Sequence, residues 1–448
     1  MEETIQPVIQ QNIGIRPVKL NIIKLEDVKS NPQAKIIKLK IVKPALVKPK
    51  IICDVDNTVE IPVVDETDNE RSMYLMFDGT FKSPKDLVIG DKLMGVDSLP
   101  CTITSITSVV EKNYMIRPVK GDSFLMGESE TLVLTYSGGK LISWREERQC
   151  YCLKWFNVGE KRQTSKHFTL KTYKTKELAL MATEEFKSSL PEENNFDMKI
   201  VDFKKSKDVH KWHSKIYKVD LNFENDPFEI DPYIIGFWLG DGTSANTGVT
   251  TIDPEIIEFF TDYFSHMNLS LTQNRITYNI TSNSPSRYPG QNRFLNYLKE
   301  KKLLNNKHIP LEFLLSSRTD RLKLLAGLLD SDGSLTDNCY DFIQKREHLL
   351  ARSLGFSAYK KACTKICTNS SRGRVAGTYY RCCISGEGLE EIPLLLARKT
   401  ASKRKQIKRT TVNGITLEDV GIRSNYRIIT DKPLFLMADF TVRHRFEK

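Results

Sequence analysis

One short pattern occurs twice in this chain. Ile234-Ile235-Gly236-Phe237-Trp238-Leu239-Gly240-Asp241-Gly242 and Leu325-Ala326-Gly327-Leu328-Leu329-Asp330-Ser331-Asp332-Gly333 are each an apolar stretch containing small residues and ending in an acid followed by glycine. Each reads as a helix with small residues spaced for close backbone approach: Gly236 and Gly240 in the first, Ala326, Gly327 and Ser331 in the second. Two such helices can pack face to face with almost no gap, and the acid-glycine ends suit the turn at a helix terminus. The acids Asp241 and Asp332 lie 91 positions apart in matching contexts (332 − 241). Packing the helix ends together brings them close. Two carboxylates there repel one another and oppose the helix macrodipole, so stability alone would not select the arrangement. Divalent cations compensate for it: Mg2+ prefers oxygen ligands and phosphate. Metal ions held between two carboxylates activate water and stabilise the leaving oxygen in phosphodiester hydrolysis. An EF-hand reading of Asp330-Ser331-Asp332 fails, because the sixth loop position is Leu335 where glycine is needed.

The formal net charge of +11 over 448 residues, with a pI of about 9.0, favours an acidic partner, of which nucleic acid is the commonest. The length suggests two to four domains. No run of 18 apolar residues occurs, so no transmembrane helix is expected. The first residues are acidic and then polar, without the regions of a signal peptide. The expectation is an intracellular protein with no membrane partner. The nine cysteines show no zinc-ligand spacing and read as reduced thiols in cores or strands.

Along the chain, residues 1–70 alternate Ile and Val with Lys and Pro and end in an acidic run, which reads as an appended, partly flexible arm. Residues 71–140 are β-like, with turn signals at Asp78-Gly79 and Gly90-Asp91. Residues 141–205 read as strand, strand and then a helix over about Thr175 to Ser188. Within 225–410 strands alternate with helices. Asp253-Pro254 opens one helix as N-cap and first turn, and Leu349 to Gly355 closes another. Residues 411–448 are β-like again. The order predicts an α+β multidomain chain, with one all-β domain interrupted by an inserted α/β domain.

The two motifs resemble those of the LAGLIDADG homing endonucleases, specifically the intein-borne kind; the second departs from the consensus nonapeptide only at Leu329 and Ser331. The resemblance implies a pseudo-symmetric αββαββα domain that acts as a monomer. It implies cleavage of both strands of a long double-stranded DNA site, using two or three Mg2+ ions shared by the paired acids. Asp241 and Asp332 inherit the metal-binding role, and the carbonyls of Gly240 and Ser331 also face the metal. Lys307, in Lys307-His308-Ile309-Pro310, matches the family's KxIP element and inherits a catalytic role. A second basic residue falls between Arg398 and Arg404, with Lys399 and Lys403 both open. The run from Phe342 to Gly355 is one or two helical turns shorter than in relatives, about 5–10 Å of helix.

The flanks extend the resemblance to about residues 68–445. Tyr74 to Gly95 is similar to the opening of a Hint (intein) domain, horseshoe-shaped and all-β, and Val420 to His444 to its closing strands. Splicing chemistry departs from that pattern. The first nucleophile belongs near Thr67, yet no Cys or Ser precedes that position until Cys53, and Ser72 is too close to Tyr74; Glu130 occupies the position of the block histidine; Arg445 replaces the terminal asparagine. Only His444 survives, so covalent splicing lacks an activated nucleophile and a cyclising amide. Residues 141–190 are similar to the DNA-recognition region of the yeast vacuolar-ATPase intein and the mating-type switching endonuclease. There Lys154, Lys161, Arg162 and Lys166 are expected to neutralise phosphates, while Trp144, Tyr151, Trp155 and Phe168 read as core. Arg398, Arg404, Lys405 and Lys408, in a basic stretch without acids, are expected to track the DNA backbone.

Overall fold

The computed structural model describes residues 73–192, 194–283, 291–343, 347–370, 373–404 and 409–447. The expected arm, Lys405, Lys408 and the centre of the short run after the second motif (Gln344 to Arg346) lie outside the described residues.

The fold is mixed α+β with several antiparallel sheets. Its β part is closed by strands from opposite ends of the described chain. Pro100–Pro118 pairs antiparallel with Ile415–Thr430, from Ile415 opposite Pro118 to Thr430 opposite Ile103, with irregularities after Asp419 and Ile429. Thr131–Tyr136 lies in a four-stranded sheet between Asn195–Lys199 and Ser214–Tyr217, and Val412–Asn413 forms the far edge. Alternation along these strands turns Tyr114, Ile116, Leu132 and Leu134 inward, where they meet Phe124, Phe156, Phe196 and Phe203 in one apolar cluster. The segment between residues 217 and 412 is thus spliced spatially into a sheet whose neighbouring strands precede and follow it.

Residues 141–190 form three strands rather than the two expected: Leu141–Arg145, Cys150–Asn157 and Arg162–Thr169 in one antiparallel sheet. Basic and polar residues crowd the third strand, and this obscured its alternation in the sequence. The helix follows at Lys176–Ser189, with Thr175 as N-cap accepting a bond from the Leu178 amide. Trp144 packs on Tyr151 and Trp155 on Phe186, both edge-to-face; of the four aromatics expected in the core, Phe168 is buried and the other three are half-buried. Cys101, Cys150, Cys152 and Cys382 are buried free thiols on strands.

The α/β segment runs through two similar halves. The second follows the expected order: helix Arg318–Asp332, hairpin Ser334–Thr336 with Cys339–Ile343, helix Glu347–Ser353, then paired strands Ser357–Ser370 and Gly373–Ser385. It ends in 3-10 turns at Leu389–Glu391 and Ala397–Lys399 instead of a final helix. The first half has helix Pro232–Asp241, a single two-residue strand Val249–Thr250 where a hairpin is expected, helix Pro254–Ser265, the hairpin Leu269–Asn274 with Thr277–Ser282, and helix Arg293–Glu300. A lone bridge from Gly242 to Val249 stands in for the missing strand. A shared core of Ile, Leu, Phe and Trp side chains runs through both halves.

Candidate active site

Two helices carry the duplicated motifs. The first begins with Asp231 as N-cap, its carboxylate accepting from the Tyr233 amide, and Pro232 in the first turn. Residues Pro232 to Leu239 are all buried. The second begins at Ser317, whose hydroxyl accepts from the Asp320 amide. The helices meet through backbone. A methyl group on Gly236 would strike the Leu324 carbonyl oxygen; one on Gly327 would strike the Tyr233 carbonyl and lie 2.5 Å from the Phe237 amide nitrogen. At the shared end, a methyl on Gly240 would sit 2.7 Å from Ser331 Cβ and 3.4 Å from the Asp332 carboxylate. The small-residue stripe read in the sequence is therefore the surface along which the helices touch.

The glycines that end the motifs do not adopt a left-handed conformation. Gly242 has φ −77° and Gly333 φ −80°, both extended. Glycine is required instead by lack of room: a side chain would strike the Trp238 carbonyl and ring at the first, and lie 2.6 Å from the Leu329 carbonyl at the second.

Convergence brings Asp241 and Asp332 into one electrostatic neighbourhood. Burial, and then the Asp332 charge, push the Asp241 carboxyl up from its ordinary value, against the pull of Lys399 and Lys307. A lysine sits on the end of each helix. Lys307 Nζ donates to the carbonyls of Gly240 (3.0 Å) and Gly242 (2.6 Å) and lies over the Trp238 ring. Lys399 Nζ donates to the carbonyls of Leu329 (2.9 Å), Asp330 (2.7 Å) and Ser331 (3.2 Å). Burial lowers the pKa of both ammoniums, and neighbouring acids oppose the shift: Asp332 and Asp241 at Lys307, Asp330 and Asp241 at Lys399. The lysines complement the negative helix ends, where a partly buried cation contributes up to about 2 kcal/mol. Their equivalence across the two halves separates Lys399 from Lys403, which is exposed.

The site is not fully symmetric. Asp330 takes the place that Leu239 holds in the first motif. It is buried, accepts from the Tyr233 hydroxyl (2.8 Å) and the Leu395 amide (2.7 Å), and burial raises its pKa. It ties the Lys399 segment to the helix pair. A motif-internal acid carries no sequence signal of where it points.

Among the described residues no group of three or more His, Cys, Asp or Glu side chains is placed to hold a metal ion. The donor set at the helix ends is two carboxylates and backbone carbonyls, all oxygen. That fits Mg2+, which takes one or two carboxylates together with water and phosphate. The Gly240 and Ser331 carbonyls, expected to face the metal, accept from the two lysines, each oxygen retaining a second lone pair.

The remaining expected DNA contacts divide. Lys154 is half-buried, and Lys161 is exposed with φ +52° in the turn between two strands. Lys166 stands 3.7 Å from the Phe186 ring centroid. Arg162 pairs with Glu160 (2.7 Å). Arg398 is ion-paired with Asp253 at 3.0 Å; for that reason Asp253, although it is the N-cap residue, does not cap its helix with its side chain. Arg404 turns toward the Asn338 carbonyl and Cys339 sulfur.

At the other end of the β part, Glu130 lies in a buried network. Its carboxylate accepts from Arg443 (2.8 Å), from Asn425 (2.9 Å) and from the Gly127 amide (2.6 Å). Arg443 and Glu130 side chains are only 6% and 11% exposed, so the pair is desolvated. His444 Nδ1 donates to the Arg445 carbonyl, and the Arg445 guanidinium donates to the Thr430 carbonyl.

No family model matches the chain. The replicative DNA helicase DnaB of Mycobacterium intracellulare is 36% identical over 124 residues, 28% of this chain and 18% of that protein. The chain thus spans less than a fifth of the length of the curated relative it matches. Solved structures of the homing endonuclease I-DmoI align over 35% of this chain. Its mesophilic variants give 15% identity, a TM-score of 0.22 and 82% coverage of their own length. The complex with DNA and Ca gives 14%, 0.21 and 82%. A variant with its target DNA in the presence of Mg gives 14%, 0.21 and 88%. These alignments reach about a third of this chain, and the site geometry stands on its own residues.

Proposed function

We propose that this chain is a site-specific DNA endonuclease that hydrolyses both strands of a long duplex site, carried in a Hint-type β domain descended from an intein. The observation that carries the reading is the backbone-packed helix pair, which sets Asp241 and Asp332 together at two helix ends where a fold selected for stability alone would not put them. Asp241 and Asp332 would hold Mg2+, which supplies Lewis-acid stabilisation of charge on the phosphate and lowers the pKa of bound water. Asp241 is half-buried and Asp332 exposed, so the Asp241 charge is the less screened of the two. Lys307 and Lys399, one per helix end, place an ammonium beside each scissile phosphate and stabilise its developing charge. The basic faces at Lys154, Lys161 and Lys166 neutralise flanking phosphates.

The Hint-type part is inactive in splicing. Glu130 is a charge partner for Arg443 instead of a proton shuttle, and a reaction needing nucleophile, histidine and asparagine has lost all but His444. The match to a segment of a DnaB helicase fits an intein once inserted in such a host.

The test is cleavage of a randomised duplex library with Mg2+, beside the Asp241→Asn/Asp332→Asn variant. Discrete double-strand cuts by the wild type alone are expected. Binding without any cut would replace this reading with a DNA-binding remnant. On expression the chain is expected to keep its full 51.4 kDa mass, and a ligated or cleaved product would overturn the inactive-splicing reading.

A further inference from the structure

Away from the helix ends lies a groove of about 930 Å³ between the β part and the second half of the α/β segment. Lys120 and Lys215 line it from the β side, Arg404 and Arg409 from the other, with Trp212 and Tyr359 among its aromatic walls. No Asp or Glu lines it among the described residues. Such a one-signed concavity is costly to leave bare, since like charges converge on it without a counter-charge. The cations are also held in place by carbon and not by acids: Lys215 lies 4.7 Å from the Trp212 ring centroid and Lys120 5.7 Å from that of Tyr359. Trp212 itself is 72% exposed and Val119, on the same wall, 76%.

The groove is physically tied to the active site. Tyr340 donates its hydroxyl to the Lys399 carbonyl and accepts from the Ala401 amide, and Ser402 and Asn338 exchange bonds. These fix the run from Lys399 to Arg404. Arg404 stands five residues beyond Lys399, at most about 18 Å of extended chain. A DNA strand rises about 3.4 Å per phosphate, so that reach corresponds to at most about five nucleotides.

We infer that this groove is a second DNA-backbone site, which takes the phosphates of the duplex flank within about five nucleotides of the scissile position. This rests on the endonuclease reading above. Lys120, Lys215 and Arg409 supply sequence-independent charge, while Arg404 both lines the groove and holds the neighbouring hairpin. The site fixes which way the long target runs across the β part.

The test is binding of a duplex of about 40 base pairs, of arbitrary sequence, by the full chain across a salt series. The triple variant Lys120→Ala/Lys215→Ala/Arg409→Ala is compared with Lys120→Arg/Lys215→Arg/Arg409→Lys, which keeps charge and tests folding. Every phosphate left without its cation lowers the slope of log K against log salt by about 0.9, so the alanine variant is expected to fall by about 2 to 3 in slope. The charge-keeping variant is expected to match the wild type. An unchanged slope in the alanine variant, with the wild type binding DNA, overturns the groove and leaves the endonuclease reading intact. A wild type without salt-dependent DNA binding overturns both.

Discussion

Replacing Gly327 by alanine tests the helix contact on which the proposed active site is built. At an ordinary helical position this change stabilises by about 1 kcal/mol, because alanine loses less backbone freedom on folding. Here the added methyl would lie 2.5 Å from the Phe237 amide nitrogen and closer still to the Tyr233 carbonyl. Ordinary contact begins at 3.4 Å, so the helices must part by at least 0.9 Å (3.4 − 2.5). Both obstacles are backbone and cannot swing aside. Overpacking of this kind costs about 3 kcal/mol, leaving a net loss of about 2 kcal/mol after the propensity gain. The same displacement moves Asp332 relative to Asp241, and a shift of about 1 Å at a reacting centre costs about 100-fold in rate. Urea denaturation is expected to show a lower midpoint for Gly327→Ala with unchanged slope, and cleavage assays a far larger deficit than stability explains. Gly139, which has nothing within 4 Å of an added methyl, is the control: its alanine variant is expected to be neutral or slightly stabilised. A raised midpoint for Gly327→Ala would refute the backbone-to-backbone packing.

Other outcomes follow from the same geometry. Lys399→Met is expected to lower cleavage by about 100-fold or more, as loss of a preorganised charge does, whereas Lys403→Met leaves the rate unchanged; equal effects would remove the distinction between them. Asp439 is buried, which by itself raises its pKa, but Lys218 at 2.8 Å, Thr441 and Arg352 outweigh burial and hold it below its ordinary value of 3.8. A depressed carboxyl contributes stability that is present above the unfolded value and lost as pH falls through the folded one. Asp439→Asn is therefore expected to cost about 3 kcal/mol at neutral pH, the cost of leaving Lys218 buried alone. The difference should shrink as pH falls below 3.8; a gap independent of pH in chemical denaturation would count against the pair. Glu130→Gln is expected to cost a similar amount, about 3 kcal/mol, because it strands the buried Arg443. Wild-type stability in that variant would mean that the network contributes nothing.

The twin helices, their contact residues and Asp241, Asp332 and Lys307 were legible because a duplicated pattern of glycine, apolar residue and acid leaves few ways to fold. Lys399 was legible only as one of two choices: the sequence offers several cations in that stretch, and a backbone carbonyl that selects one among them has no sequence signature. For the same reason the roles of Asp330, Arg404 and Arg398 were hidden. Each is set by a partner more than 60 residues distant, through bonds to Tyr233, Asn338 and Asp253 respectively. The third strand at Arg162–Thr169 escaped notice because its residues are mostly exposed, and an exposed strand need not alternate. The extended conformation of Gly242 and Gly333 was equally invisible, since glycine is demanded both by an unusual φ and by lack of space.

The pairing of Pro100–Pro118 with Ile415–Thr430 has a consequence for how the protein is made. At synthesis rates of about 5–20 residues per second, the first strand waits tens of seconds for its partner. The α/β segment emerges entirely in that interval, while the long first strand shows an unpaired edge. Such an edge is a template for association with other chains. The interval before the last strand arrives is thus the most vulnerable moment in the molecule's life. Any truncation that removes residues after Gly414 makes that moment permanent.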